Sequence, residues 1–285
     1  MSLTDFVKHP AARAIYDQHV AVRSMRLPPR EDIVPCSDIR LAGAMGTAFD
    51  YMARLRLHAL SRQHQIVCVE GEWIAETALS VMRATPDLLS WIPRWSKLLE
   101  AARSLQNALI IGSMTDPARL AICSQYLGAA DLLVRVGTFR PDFKHSDTIT
   151  NELVKLDACL DYAPLLPLDG GLLCLNPGLP AGRQIGGADP DIIAGSTVID
   201  IKTTIRPSAD STRLRQICAY AALCDVGGIR AAGGRMVALP PITHVGLSFS
   251  RQNLHVRYSL DELFAGRYDN YKRDLTELAC CAMPS

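Results

Sequence analysis

GGADPDIIAGSTVIDIKTT, residues 186–204, holds two apolar runs joined by Gly195-Ser196. A Gly-Ser pair between such runs is a two-residue loop of the kind that closes a β-hairpin, so Gln184–Ile193 and Thr197–Thr204 are expected as two extended segments. The turn pairs Ala194 with Thr197, and counting outward sets Asp191 opposite Asp200. Opposed residues have Cβ atoms roughly 4.5–5.5 Å apart, where like charges destabilise the pairing, so the two aspartates call for a cation. Period-two alternation puts Lys202 on the face of Asp200. Ile192, Ile193, Val198, Ile199 and Ile201 are apolar, which predicts central strands and a partly desolvated charged trio. Oxygen ligands beside an ammonium suit Mg²⁺ or Mn²⁺ and a phosphate better than they suit zinc. Such a metal neutralises charge on a phosphoryl oxygen and acidifies water, while the lysine orients that water or stabilises the developing anion. A bare Asp-x-Lys triplet on a solvated edge strand would carry no chemistry; the facing Asp191 and the apolar flanks distinguish this one.

Downstream, Leu214, Ile217, Cys218 and Ala221 give the apolar stripe of a helix over about 210–225, with Gly227-Gly228 as its stop. Arg213, Gln216 and Tyr220 fall on one face of it, three and four residues apart, and that face can meet a phosphate backbone. The other reading of the same residues places Tyr220 in the core and Gln216 in solvent. Lys202, Arg206, Arg213 and Arg215 outnumber Asp200 and Asp210 nearby, a local basic excess able to grip phosphates, although Arg206 and Arg215 equally read as ordinary solvated charges. Leu172–Leu175, the alternating Val245, Leu247 and Phe249, and Leu254–Tyr258 read as further strands. Ser259 with Glu262 forms a capping box for a last helix to about residue 280. The first 165 residues read mostly helical, over 10–24, 41–62, 71–84, 87–106, 116–135 and 147–162. Trp91 and Trp95, four apart in one of these segments, are expected to pack between helices rather than to stack on bases.

A chain of 285 residues with 48% apolar and 21% charged residues is long and apolar enough for a substantial core. Its formal net charge of +1 gives no global attraction for a polyanion, so any nucleic-acid contact must come from a local patch. There is no basic, apolar leader and no run of eighteen apolar residues, so the chain is expected to be cytoplasmic and to need no membrane. The nine cysteines show no C-x-x-C spacing and most are expected to be reduced, buried thiols; the seven histidines are scattered. No G-x-x-x-x-G-K-[ST] loop is present, so a motor such as a helicase would be a partner on a separate chain.

Pro190-Asp191, eight residues, and then Asp200-Ile201-Lys202 resemble the motif of the PD-(D/E)xK nuclease superfamily. Gln216-Ile217-Cys218-Ala219-Tyr220 is similar to the Q-x-x-x-Y signature of its RecB-like branch. Gly46-Thr47-Ala48-Phe49-Asp50 stands on the helix where that branch carries G-x-x-x-H, with Asp50 in place of the histidine. Other members of the superfamily place an acidic residue on this helix, so the resemblance implies Asp50 as a metal ligand, with Gly46 letting the helix approach the sheet. The resemblance spans about 41–62 and 170–258. It implies an α/β fold with a restriction-endonuclease-like αβββαβ core, divided as N-terminal helices including the first core helix (1–66), a helical insertion lobe (67–165) and the remaining nuclease core (166–285). It further implies a Mg²⁺ or Mn²⁺ ion held by Asp50, Asp191, Asp200 and the Ile201 carbonyl, with Asp191, Asp200 and Lys202 catalytic. Gln216 and Tyr220, joined by Arg213 and Arg206, are expected to hold DNA. The activity implied is a metal-dependent deoxyribonuclease acting in defence against foreign DNA or in DNA processing, with a helicase or other protein as a possible partner. Two other readings fit the same residues: a catalytically inactive scaffold of the same fold binding nucleic acid or a protein, favoured by the missing histidine, and a ribonuclease, since none of these residues reports on a 2′-hydroxyl.

Overall fold

Capping residues and glycine stops divide the chain close to where its sequence pattern changes. The computed structural model describes residues 3–31, 33–113, 116–137, 140–167 and 171–281. Its N-terminal part contains α1 (Leu3–Phe6), α2 (Pro10–His19), α3 (Ala42–Gln63), β1 (Cys68–Glu70), α4 (Ile74–Ala84), α5 (Ile92–Ile110), α6 (Pro117–Val136) and α7 (Asp147–Cys159). After these come β2 (Leu173–Leu175), β3 (Ile192–Ala194), β4 (Thr197–Lys202), α8 (Ser211–Gly227), β5 (Ile229–Arg230), β6 (Met236–Val237), β7 (His244–Phe249), β8 (Leu254–Ser259), α9 (Leu260–Phe264) and α10 (Tyr268–Cys281). The caps are chemical. Asp116 accepts the Ala118 N–H at 2.9 Å ahead of Pro117, and Gly137, at φ +68°, ends α6. Asp210 accepts the N–H groups of Thr212 and Arg213 at the start of α8, and Ser259 caps α9 through the Glu262 N–H.

Six strands form one mixed sheet in the order β1-β2-β3-β4-β7-β8, and β5 and β6 form a separate two-stranded ribbon. β2, β3 and β4 make an antiparallel meander, β4 pairs parallel with β7 across α8, and β8 returns antiparallel to β7. The sheet is therefore covered on two sides. Cys174, Ile193, Val198, Val245 and Leu247 pack with α2, α8 and α10. Leu173, Leu175, Ile192, Ile199 and Ile201 pack instead with α3 to α7. Ile192, Ile193 and Val198 are fully buried, as central strands with both faces covered require.

Several expectations need correction. Gln184–Ile193 is not extended throughout: Pro180–Ile185 forms a 3₁₀ turn, and only Ile192–Ala194 joins the sheet at this point. Gly186 and Gly187, at φ +89° and +109°, reverse the chain there, a conformation only glycine adopts without strain. The last helix is broken at Ala265 and Gly266, both left-handed, into α9 and α10. Cys68–Glu70, inside the stretch expected to be helical, is a strand paired parallel with β2. The helices of 67–165 lie against α3 and the sheet in one shared core. Gly46 meets nothing within 4 Å, so it is not a close-approach residue. That role belongs to Gly128 on α6, where a Cβ would stand 3.3 Å from the Ala48 nitrogen of α3. Trp95 is buried and meets Tyr126 edge to face, in line with a packing role. The cysteines are all free, but only Cys174, Cys218 and Cys224 are fully buried, while Cys280 and Cys281 are exposed. Among the described residues no helix is long and apolar enough to cross a membrane.

Candidate active site

The hairpin turns at Gly195-Ser196 with Ala194 paired to Thr197, the register the sequence predicts. Asp191 precedes β3 by one residue, and continuing the ladder sets it opposite Asp200. The Asp191 carboxylate reaches across and accepts the Ile201 N–H at 2.7 Å. Asp200 is buried, and its Oδ2 lies 2.7 Å from Lys202 Nζ, two residues along the same strand face. Burial alone would depress the Lys202 pKa, but Asp200 and then Asp191 more than offset this and hold the ammonium above the ordinary lysine value. Lys202 is therefore charged at neutral pH.

Asp50 joins this pair from α3. Burial first, then the charges of Asp50 and Asp200, push the Asp191 carboxyl well above the usual carboxylate range. Asp50 is raised as well, by burial and by Asp131, against the opposing pull of Arg54. Its Oδ2 is 2.5 Å from the Arg54 guanidinium one turn along the helix. Its Oδ1 is buried with no hydrogen-bond partner. The carboxylates thus lie close enough to raise one another at the end of the sheet where β3 begins and β4 ends, with Asp50 on one covering layer and Tyr220 on the other.

Tyr220 is 9% exposed. Burial, followed by Asp189, Asp191 and Asp200, lifts its phenol well above the ordinary tyrosine value, opposed by the neighbouring Gln216. Tyr220 belongs to the buried core packed around α8, as the second reading has it, whereas Gln216 is half-buried and donates to Thr4 Oγ1 of α1 at 3.1 Å instead of standing free in solvent. Arg213 is held by the Ser208 carbonyl and Asp210, and its charge is felt at Lys202. Arg206 is exposed on the loop between β4 and α8. Arg215, by contrast, is buried rather than solvated.

The sequence reading missed the second tier of this site. Asp131 and Arg135 on α6 are ion-paired at 2.7 Å, Arg135 reaches on to Asp189, and Tyr51 donates to Asp131 at 2.9 Å. The i, i+4 spacing of Asp50 with Arg54 and of Asp131 with Arg135 within apolar helices was the available signal. Five aspartates (50, 131, 189, 191 and 200) share the region with three cations (Arg54, Arg135 and Lys202). Such an excess has to be met by protons or by a bound cation. Beside Asp189 opens a cavity of about 210 Å³ that also carries Arg183 and Arg230.

The donor atoms are all oxygen and one of them is orphaned, a set that suits a hard divalent ion. As the side chains lie, however, no group of three or more His, Cys, Asp or Glu among the described residues is arranged to hold a metal. Arg54 and Lys202 each occupy one carboxylate oxygen. Comparison of the chain with protein-family models, with curated proteins and with solved structures finds no match.

Proposed function

We propose that this chain is a divalent-metal-dependent nuclease that hydrolyses DNA phosphodiester bonds at the Asp191–Asp200–Lys202 site. The observation that carries the reading is the convergence of Asp50, Asp191 and Asp200 on one end of the sheet, with acid in excess and a buried carboxylate oxygen left unpartnered. The succession of α3, the β2-β3-β4 meander, α8 and β7 follows the order αβββαβ and supports a restriction-endonuclease-like core. Asp50, Asp191, Asp200 and the Ile201 carbonyl would hold Mg²⁺ or Mn²⁺. When bound, that ion supplies neutralisation of phosphate charge and acidification of water. Lys202, held as the ammonium, donates to the anion that develops on the phosphoryl group. Tyr220, kept neutral by its surroundings, and Gln216 offer hydrogen bonds to a backbone phosphate, and Arg213 with Arg206 adds positive charge on the same side.

Incubating the purified protein with linear DNA, circular DNA and RNA in Mg²⁺, Mn²⁺ or EDTA tests the proposal. Cleavage of DNA is expected with either metal, to be abolished by EDTA and by Asp200→Asn, and to fall by about 100-fold or more in Lys202→Ala. Cleavage that survives Asp200→Asn rejects the site, and cleavage of RNA alone moves the substrate to RNA. Binding without cleavage in every condition favours the non-catalytic scaffold, a reading supported by the ion pairs Arg54–Asp50 and Lys202–Asp200 that already engage two of the carboxylates.

A further inference from the structure

The cavity of about 210 Å³ beside Asp189 lies between the start of α4, the 3₁₀ turn at Pro180–Ile185 and β5 of the two-stranded ribbon. Two arginines line it. Arg183 is exposed on the 3₁₀ turn, and Arg230 is half-buried on β5. Neither is ion-paired among the described residues, in contrast to Arg54, Arg56, Arg103 and Arg135. Arg230 is nonetheless held in place. Its N–H donates to the Gly178 carbonyl at 2.7 Å, and the Gly178 N–H donates back to the Arg230 carbonyl at 3.0 Å. The guanidinium lies alongside Gly178, with Nε and one terminal nitrogen 3.6 Å from where a Cβ on that residue would stand. A backbone bridge thus fixes a cation that the chain itself does not neutralise.

The carboxylates of the lining do not supply the missing charge. Asp189 is paired with Arg135, and Glu72 is exposed to solvent, which screens it. Ile74 and Thr77, in the first turn of α4, also line the cavity, and Trp73 gives this helix no side-chain cap. The positive end of α4 therefore adds to the two guanidinium groups. Unpaired guanidinium groups call for an oxyanion, and the arginine fork matches phosphate and carboxylate alike. The place of the cavity selects between them. Asp189 is two residues from Asp191, at most about 7 Å of chain, and Asn176 of the lining donates its N–H to the Asp191 carbonyl at 2.9 Å. The Asp189 charge is felt at Tyr220, on the helix offered to a phosphate backbone. A duplex strand carries a phosphate about every 3.4 Å of its axis, so a strand engaged at Asp191 brings a neighbouring phosphate within reach of the two arginines.

We propose that this cavity holds a second phosphate group of the nucleic-acid strand, gripped by Arg183 and Arg230, next to the phosphate engaged at Asp191 and Asp200; the identity of the strand rests on the nuclease reading above. The group is a phosphate ester, either an internal phosphodiester or the terminal phosphate of a strand end. Held there, it sets the register of the strand against the carboxylates without touching the reacting atoms.

DNA binding of the full chain in EDTA, measured across salt concentrations, tests this without requiring cleavage. Each of Arg183→Gln and Arg230→Gln is expected to weaken binding roughly tenfold and to reduce the slope of log affinity against log salt by about 1. In the presence of metal, KM is expected to rise by more than kcat falls. Arg183 is exposed, so its variant covers an Arg230→Gln chain that fails to fold. Strands that differ only in a terminal phosphate or hydroxyl tell the two sources apart. An advantage of the phosphorylated end that disappears in the arginine variants assigns a terminal phosphate, and an equal loss of affinity for circular and linear strands assigns an internal one. Inorganic phosphate is expected to compete with the unmodified protein's DNA binding more strongly than with that of either variant. Unchanged salt slope and KM in both variants overturn the proposal, and leave the nuclease reading standing if the unmodified protein cleaves DNA. Weakened binding in both variants of a protein that cuts nothing keeps the arginine site and rejects the nuclease reading.

Discussion

Two buried charged clusters in this chain solve the problem of burial in opposite ways. Arg251 has no exposed surface, and its guanidinium is ion-paired with the buried Glu152 on α7. Arg251 donates also to the carbonyls of Thr203 and Val34, and Glu152 accepts the Ser37 N–H, so this pair ties the β7–β8 turn, the end of β4, α7 and the segment before α3 together. One charge meets one charge, with backbone groups filling the remaining bonding positions. At the carboxylate site acid outnumbers base, two carboxyl groups are raised, and one oxygen has no partner. Burial of charge by itself therefore says little about function. An imbalance that the chain's own residues leave uncorrected is the more specific sign.

The largest difference between the clusters is expected in stability. Glu152→Ala leaves Arg251 buried without its counter-charge and is expected to cost about 3–5 kcal/mol in denaturant unfolding. Asp191→Asn removes a surplus negative charge while its amide oxygen can still accept the Ile201 N–H, so it is expected to leave stability unchanged or raise it by about 1 kcal/mol, while abolishing cleavage. A loss of several kcal/mol in Asp191→Asn would mean that the carboxylate site is as structural as the Arg251 pair, and the contrast would fail.

The next effect concerns pH. Asp191 and Asp50 have folded-state pKa values above the unfolded ones. The folded protein therefore holds protons that the unfolded chain has released, and stability falls as pH rises from the ordinary aspartate value, about 4, to the folded value, by at most about 1.4 kcal/mol per pH unit for each proton. Glu70, Asp210 and Asp274, all lowered, act in the opposite sense but at pH below the ordinary carboxylate range. His244 and His255, also lowered, make stability rise with pH near the ordinary histidine value. The informative quantity is thus the difference between the unmodified protein and Asp191→Asn. Melting temperatures measured without metal are expected to diverge as pH rises, in favour of the variant. Added Mg²⁺ is expected to raise the melting temperature of the unmodified protein at neutral pH and to narrow that gap. Parallel pH curves would show that Asp191 does not titrate as described.

Much of this contrast was legible in the sequence on one side and invisible on the other. The hairpin register followed from Gly195-Ser196 and two apolar runs, because a two-residue turn fixes pairing locally. Asp191, Asp200 and Lys202 were found because strand alternation is short-range. The second tier was not, since Arg135 pairs with Asp131 one turn away but with Asp189 54 positions further along the chain. Arg251 and Glu152 gave no signal at all, being 99 residues apart in the chain, and a single charge in a turn between strands reads as solvated. The 3₁₀ turn at Pro180–Ile185 escaped because its cause is tertiary: a Cβ on Gly182 would stand 2.6 Å from that of Ala188.

The smallest expected effects separate the helix that carries Asp50 from the frame that positions it. Gly46 lies one turn before Asp50 in open space, so Gly46→Ala removes only the conformational freedom of a helical glycine and is expected to stabilise by about 0.5–1 kcal/mol with cleavage unchanged. Gly128 sits on α6 three residues before Asp131, and an added Cβ there would press on the Ala48 backbone at 3.3 Å. Gly128→Ala gains the same helical preference but must push α3 from α6 by a few tenths of an ångström, which displaces Asp50 relative to Asp191. Its stability change is expected to be small because the two contributions oppose each other, whereas its cleavage rate falls by several-fold. Both are read from one pair of measurements, a denaturant titration and a cleavage rate at saturating metal. Equal cleavage by the two variants would mean that the Asp50 carboxylate need not be placed to that tolerance, and would leave Asp191 and Asp200 as the groups on which placement matters.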